Sequence, residues 1–306
     1  MVFPGMGPLR FADVGKFLLL NPYARELVAV ADARLGHSLV DRLREAEDDY
    51  SDAAQVAFLV TSVALAHWAE NELGVTPTVC AGPSFGEKSA TAYVQSLPFE
   101  DAVWMTAELA RCLTEYFATA HTDVVTCSYA RVPGERLTEL LADLDARGEW
   151  AEISCHVDDD LFMVSLREHN ADWLTQQLRS LGALPLYTMR PPMHAAAFGG
   201  LRRKAEDEVL GALPFADPEL PVVADQDGSV VRTGEGMRTM LLDSIVRPMR
   251  WPDVVASLRR QAVGRVCVAG PDALFGRVRC TTEAFEVLPA NPALALRPRR
   301  RGAAAP

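Results

Sequence analysis

The stretch PTVCAGPSFGEKSATAYV, residues 77–94, decides how this chain is read. It opens as a short apolar strand, passes through a glycine-flanked turn and ends as a helix rich in small residues. Within it Gly82-Pro83-Ser84-Phe85-Gly86 fits G-x-S-x-G, the nucleophile elbow. In that motif a serine sits on a strained strand-to-helix turn, where side chains at the flanking glycines would clash. The turn lifts the serine Oγ clear of its surroundings and aims the N–H of Phe85 toward a developing oxyanion. The plainer reading is a glycine-rich helix start that Ser84 merely caps. The strand before it and the helix after it favour the elbow. Gly36-His37-Ser38-Leu39 imitates half of the motif, but Val40 replaces the second glycine and no strand precedes it. Ser38 is expected instead to cap the helix VDRLREAE, residues 40–47.

Working outward, ARELVAVADARLG (24–36) and AAQVAFLVTSVALAHWAENELG (53–74) carry apolar residues at i, i+3, i+4 spacing and end at glycine, so both are expected as helices. A different rhythm follows the elbow region. VVTCSYARV (124–132) is a strand candidate and GERLTELLADLDARG (134–148) an amphipathic helix. WAEISCHV and DLFMVSLR flank the Asp158-Asp159-Asp160 turn of a hairpin; ADWLTQQLRSLG (171–182) is a second helix and ALPLYTMR (183–190) a last strand. This β-α-β-β-α-β order is the ferredoxin-like pattern, long enough to be an inserted subdomain. Alternation then resumes, with a strand at GRVCVAG (264–270). The fold class is α/β, with a large subdomain at 1–123 and 191–290, a ferredoxin-like small subdomain at 124–190, and a basic, flexible tail at 291–306.

Composition narrows the function classes. A charge of −11 argues against broad nucleic-acid or anionic-membrane binding. No apolar run reaches the roughly 18–20 residues of a membrane span, and the start lacks the layout of a secretory signal. The six cysteines form no C-x-x-C pair, so no metal site is expected, and they read as reduced buried thiols of a cytoplasmic protein. Only Met1 precedes VFPG, so the opening strand is expected to be short or to begin upstream.

A serine nucleophile needs a base. His67 and His169 fall on helices, His121 in a loop and His156 in a hairpin strand, where packing or solvation explains them. His194 differs: it lies in RPPMHAAAFGGL (190–201), directly after the insert, with prolines fixing the approach and small residues leaving room for the ring. A satisfied structural histidine is the competing reading.

Val2-Phe3-Pro4-Gly5-Met6-Gly7 resembles the VFPGQG opening of the malonyl-CoA:acyl carrier protein acyltransferase family, and GPSFGE (82–87) resembles its GHSLGE elbow. The insert, the histidine beyond it, RPMRW (247–251, against N-P-V-R-W) and VAGP (268–271, against E-V-G-P) follow in order, covering about residues 1–290. The resemblance implies an α/β-hydrolase-like large subdomain and ping-pong S-acyl transfer. Ser84 would attack a donor thioester. His194 would take its proton and later deprotonate a phosphopantetheine thiol. The backbone N–H groups of Met6 and Phe85 would form the oxyanion hole, and the Ser244 main-chain carbonyl would orient His194. No cofactor is implied. The phosphopantetheine thioester, on coenzyme A or an acyl carrier protein, is substrate, and the carrier is the partner, in polyketide- or antibiotic-type biosynthesis.

The departures cluster at the acyl pocket, for which the resemblance nominates Pro83, Leu109, Arg111 and Met193. Met6, Pro83 and Ser244 stand where the family has glutamine, histidine and glutamine, and Pro191-Pro192-Met193-His194 matches neither tetrapeptide type of the polyketide acyltransferases. The arginine that pairs with a malonyl carboxylate falls, counted without gaps from Ser84, on Leu109. Arg111 lies two residues on, about 200° around a helix. With Leu109 in place the acyl group is expected to be neutral, such as an aminoacyl or dipeptidyl chain, because an unpaired carboxylate in the pocket would cost several kcal/mol; with Arg111, malonyl or alkylmalonyl transfer returns. Hydrolytic editing by the same serine, and a non-catalytic carrier-binding role, are the other readings. Arg202, Arg203, Lys204, Arg247 and Arg250 are the candidate carrier-docking cations, against an ordinary solvated face.

Overall fold

Four helices precede the first strand, and three of them start on a residue suited to capping. In the computed structural model, which describes residues 1–297, α1 (Phe11–Leu20) leads into α2 (Pro22–Leu35), where Asn21 accepts from the Ala24 N–H and Pro22 takes the first turn. Ser38 caps α3 (Leu39–Glu45), accepting from the Asp41 N–H at 3.2 Å, as the sequence suggested. Ser51 caps α4 (Asp52–Leu73), and Gly74 closes it in the left-handed conformation, φ 68°. Almost every residue of α4 between Ala53 and Ala69 is buried. It is a central helix, not a half-exposed one.

The chain continues through β1 (Cys80–Ala81), α5 (Gly86–Tyr93) and α6 (Phe99–Phe117) into the insert: β2 (Val124–Ala130), α7 (Gly134–Ala146), β3 (Ala151–Asp158), β4 (Leu161–Arg167), α8 (Ala171–Ser180) and β5 (Leu184–Met189). It returns through α9 (Gly199–Glu208), β6 (Val222–Val223), β7 (Val230–Val231), α10 (Gly234–Val246), β8 (Met249–Arg250), α11 (Trp251–Arg260), β9 (Arg265–Ala269), α12 (Arg279–Ala284), β10 (Glu286–Ala290) and α13 (Pro292–Ala295).

In the large subdomain β10 and β9 run parallel, as do β1 and β6, with β7 antiparallel at one edge. Val2 joins the halves by bridging in parallel to both Ala81 and Val268. The Val2 N–H donates to the Cys267 carbonyl (2.8 Å) and the Phe3 N–H to the Ala81 carbonyl (2.9 Å), so the opening residues sit mid-sheet. The insert forms an antiparallel sheet in the order β5-β2-β4-β3, which is the ferredoxin-like order.

Two features depart from the sequence reading. Met249 and Arg250, assigned to the large subdomain, add a fifth strand to the small sheet, pairing in parallel with Cys155 and His156. Residues 291–297, assigned to a tail, include α13, whose Asn291 cap accepts from the Leu294 N–H (2.9 Å) and whose Leu294 and Leu296 pack on the core; the rest of that tail, 298–306, lies outside the described residues. The six cysteines are unbridged, five of them buried, and no helix among the described residues is long and apolar enough to cross a membrane.

Candidate active site

β1 ends and α5 begins within five residues, and Ser84 occupies the bend with φ 54°, in the left-handed region that ordinary side chains avoid. Both flanking glycines are required. A Cβ on Gly82 would stand 2.2 Å from the Gly86 carbonyl group, and one on Gly86 would stand 2.2 Å from the Phe3 carbonyl oxygen. The bare Gly86 is what lets the VFPG segment approach the elbow this closely.

The strained turn is held from beneath by two acids. The Ser84 N–H donates to Asp225 Oδ2. Glu87 Oε1 accepts from the Asp225 N–H (3.2 Å) and from Gln226 Nε2 (3.0 Å). Both carboxyls are wholly buried. Burial, reinforced by the Asp225 charge, raises Glu87 well above the carboxylate range. Burial raises Asp225 too, opposed chiefly by the Ser84 N–H. Glu87 Oε2 and Asp225 Oδ1 are buried and accept from no donor among the described residues. Nothing in the local sequence pointed to Asp225, which lies 141 residues from the serine it supports.

His194 arrives from the far side of the insert, also with positive φ, 63°. Its Nε2 is 2.8 Å from Ser84 Oγ. The ring is 2% exposed, and burial lowers its pKa to about 4, with the Ser244 main chain acting the other way. The Ala195 N–H bonds the Ile245 carbonyl (3.3 Å), which lays the histidine loop along the end of α10 and puts Ser244 beside the ring. Nδ1 makes no hydrogen bond of strict geometry, so the Ser244 carbonyl approaches it without full alignment. No acidic side chain bonds the ring among the described residues. The N–H groups of Met6 and Phe85 donate to no protein acceptor there, which leaves both available to an oxyanion, with Phe85 at the positive end of α5.

A cleft of about 900 Å³, mouth included, opens on Ser84 and His194. No group of three metal-ligating side chains occurs among the described residues.

Three comparisons bear on what this constellation belongs to. Residues 128–189 match the family model described as the VinK acyltransferase small domain. The malonyl CoA-acyl carrier protein transacylase of Bacillus subtilis strain 168 is 25% identical over 277 residues, 88% of this chain and 86% of that one. The transacylase of Escherichia coli K12 is 25% identical over 281 residues, 88% of each. Over most of its length the chain is similar to malonyl-CoA:acyl carrier protein transacylases. Solved structures agree on the fold. A malonyl-transacylase in complex with its type II PKS acyl-carrier protein superposes with TM-score 0.85 at 22% identity, covering 97% of this chain and 96% of that one. The Coxiella burnetii transacylase gives 0.84 at 21%, covering 97% and 95%.

The remaining sequence candidates fall as follows. Met6, Leu109, Met193 and Ser244 line the cleft. Pro83 does not: it is buried within the turn, where its carbonyl accepts from the Gly86 N–H (2.9 Å). Leu109 is 7% exposed, whereas Arg111 points to solvent and binds Glu108 and, at 2.9 Å, Glu115. The buried stripe of α6 runs through Ala102, Met105, Leu109 and Cys112, which excludes position 111. The expected basic docking cluster is mostly neutralised. Arg202 pairs with Glu206 and Asp243, Lys204 with Glu115 and Glu208, Arg247 with Asp227 and Asp243, and Arg250 with Asp253. Arg203 is exposed with no ion pair among the described residues.

Proposed function

We propose that this protein transfers an acyl group between phosphopantetheine thioesters through an ester on Ser84. The observation that carries the reading is the 2.8 Å contact from Ser84 Oγ to His194 Nε2 at an elbow with unused N–H donors. Ser84 Oγ adds to the thioester carbonyl carbon as its proton passes to His194 Nε2. The oxyanion is received by the N–H groups of Phe85 and Met6. Collapse breaks the carbon–sulfur bond, and the imidazolium returns the proton to the departing thiolate. The acceptor thiol then runs the sequence in reverse. The exchange of thioester for ester for thioester is nearly isoenergetic, so positioning, a base and an oxyanion site suffice. A buried ring with a lowered pKa makes a short-lived, strongly acidic imidazolium, suited to handing its proton back.

The donor and acceptor are carrier proteins or coenzyme A. The relatives named as acyl carrier protein transacylases support this, as does the solved carrier complex of a structural neighbour. Among the basic candidates Arg203 is the one we assign to the acidic carrier surface. The acyl group is neutral: Leu109 lines the cleft and Arg111 faces away, so α6 offers a malonyl carboxylate no partner. The match to an acyltransferase small domain and the type II PKS carrier complex of a structural neighbour support a role in polyketide-type biosynthesis.

Incubating the protein with acyl-pantetheine thioesters and weighing it intact tests the reading. An adduct is expected on the native chain and none on Ser84→Ala. Adduct-free native protein with every donor, malonyl included, overturns it; rapid loss of the adduct to water in the presence of a carrier thiol shifts it to editing hydrolysis.

A further inference from the structure

The lining of the cleft is apolar except for the reacting pair, Ser244 and one cluster that the mechanism leaves unused: Tyr50, Gln55 and Lys88. Lys88 stands one helical turn beyond Ser84, in the first turn of α5. Its Nζ lies 4.6 Å from the centre of the Phe85 ring and 3.4 Å from Gln55 Oε1. Gln55 is held in place because its Nε2 donates to the Tyr50 carbonyl at 3.0 Å. Tyr50 lines the same cleft, and its hydroxyl makes no hydrogen bond among the described residues.

This is an expensive place for an ammonium. No carboxylate lies within ion-pairing distance of Lys88 among the described residues, and burial pulls its pKa down to about 8 with no charge partner to oppose it. A cation in a helix's first turn also opposes the macrodipole. Every other basic side chain near the cleft with a structural role, such as Arg202 or Arg247, is matched by an acid. Of the three N–H bonds of Lys88, one reaches Gln55 over a long distance and one faces the Phe85 ring. At least one remains for the cavity.

We propose that Lys88 is a specificity-determining residue that donates, beside Tyr50, to an oxygen of the acyl chain, so that the pocket selects oxygen-bearing acyl groups over plain hydrocarbon ones. The inference rests on the acyl-transfer reading, which names what occupies the cleft. A carbonyl oxygen, as in an amide-containing chain, satisfies the donor without bringing a net charge. A carboxylate would satisfy it too, and the test separates the two. Sites built to hydrogen-bond a substrate discriminate strongly against analogues lacking the group, because their polar atoms are then left unpaired.

The measurement uses binding, which does not depend on turnover. Non-hydrolysable pantetheine amide analogues of equal length, carrying a hydrocarbon chain, an amide carbonyl or a terminal carboxylate, are titrated calorimetrically into Ser84→Ala and into Ser84→Ala/Lys88→Met. At least one oxygenated analogue is expected to bind about 10-fold or more tighter than the hydrocarbon in Ser84→Ala, with that preference lost in the double variant. An equal preference in both proteins, or none in either, overturns the proposal. A Lys88-dependent preference for the carboxylate over the amide keeps the Lys88 assignment and overturns the neutral-acyl reading. Absence of an acyl adduct on the native chain overturns the transfer reading separately.

Discussion

Two residues with positive φ, Ser84 and His194, face each other across the cleft, and each conformation costs of order 1–3 kcal/mol. Such strain persists where surrounding structure over-determines it. For Ser84 the restraint is Asp225, which accepts the serine N–H and is backed by Glu87. For His194 it is the strand-like contact of Ala195 with Ile245. The burial that fixes the ring also sets its titration. A histidine whose pKa is lowered from 6.5 to about 4 stays neutral, and able to accept the Ser84 proton, well below the usual imidazole range. We expect the rate of Ser84 acylation by a small thioester to hold from pH 7 to 5 and to fall only as pH nears 4. A limb centred near 6.5 would show that the ring is solvated. The sign for stability follows: the unfolded chain takes up a proton below about 6.5 that the buried ring refuses, so this group weakens the fold as pH drops from 6.5 toward 4.

At the scale of the element, α6 decides which side chain lines the cleft. Its buried face passes through Leu109, and a register shift of two residues would have delivered Arg111 instead. Sequence counting reached this position but left the choice open, because an insertion ahead of the helix would change it. The structure resolves it by packing: Leu109 joins the core, while Arg111 holds Glu108 and Glu115 along the exposed face. Arg111→Ala is therefore expected to leave the ranking of acyl donors unchanged and the acylation rate within about 2-fold, as for surface substitutions generally. A selective loss of malonyl-type donors in that variant would place the arginine in the pocket after all. The elbow was legible at this scale for the opposite reason. Its chemistry depends on near neighbours, and glycine, serine and glycine at fixed spacing are a local steric requirement.

Across the whole molecule, the two subdomains are stitched by the segment after α10. Met249 and Arg250 extend the small sheet through Cys155 and His156, while the Arg250 N–H bonds the Asp225 carbonyl at 2.7 Å, just below the elbow. Trp251 follows, 1% exposed, its indole N–H donating to Thr281 Oγ1 (2.7 Å) and its ring 5.4 Å from that of Phe275. Its cluster draws on Val157 and Met163 of the small sheet as well as Val254 and Val268 of the large subdomain. A shared core of this kind makes the two units cooperative. Trp251→Ala is expected to cost about 3–5 kcal/mol in denaturant unfolding and to move one common transition. Separate transitions, only one of them shifted, would show that the subdomains melt independently.

The sequence alone determined what rests on short-range rules: the elbow from its glycines, the caps at Ser38 and Gly74, the β-α-β-β-α-β insert from its periodicity, and Ser84 with His194 as the residues to compare. It could not place what depends on distant chain segments meeting. Asp225 beneath Ser84, β8 in the small sheet, α13 on the core and the pairing of nearly every basic docking candidate with an acid were decided by tertiary packing. Local geometry is written in neighbouring residues, whereas desolvation and charge compensation belong to whichever side chains the fold brings together.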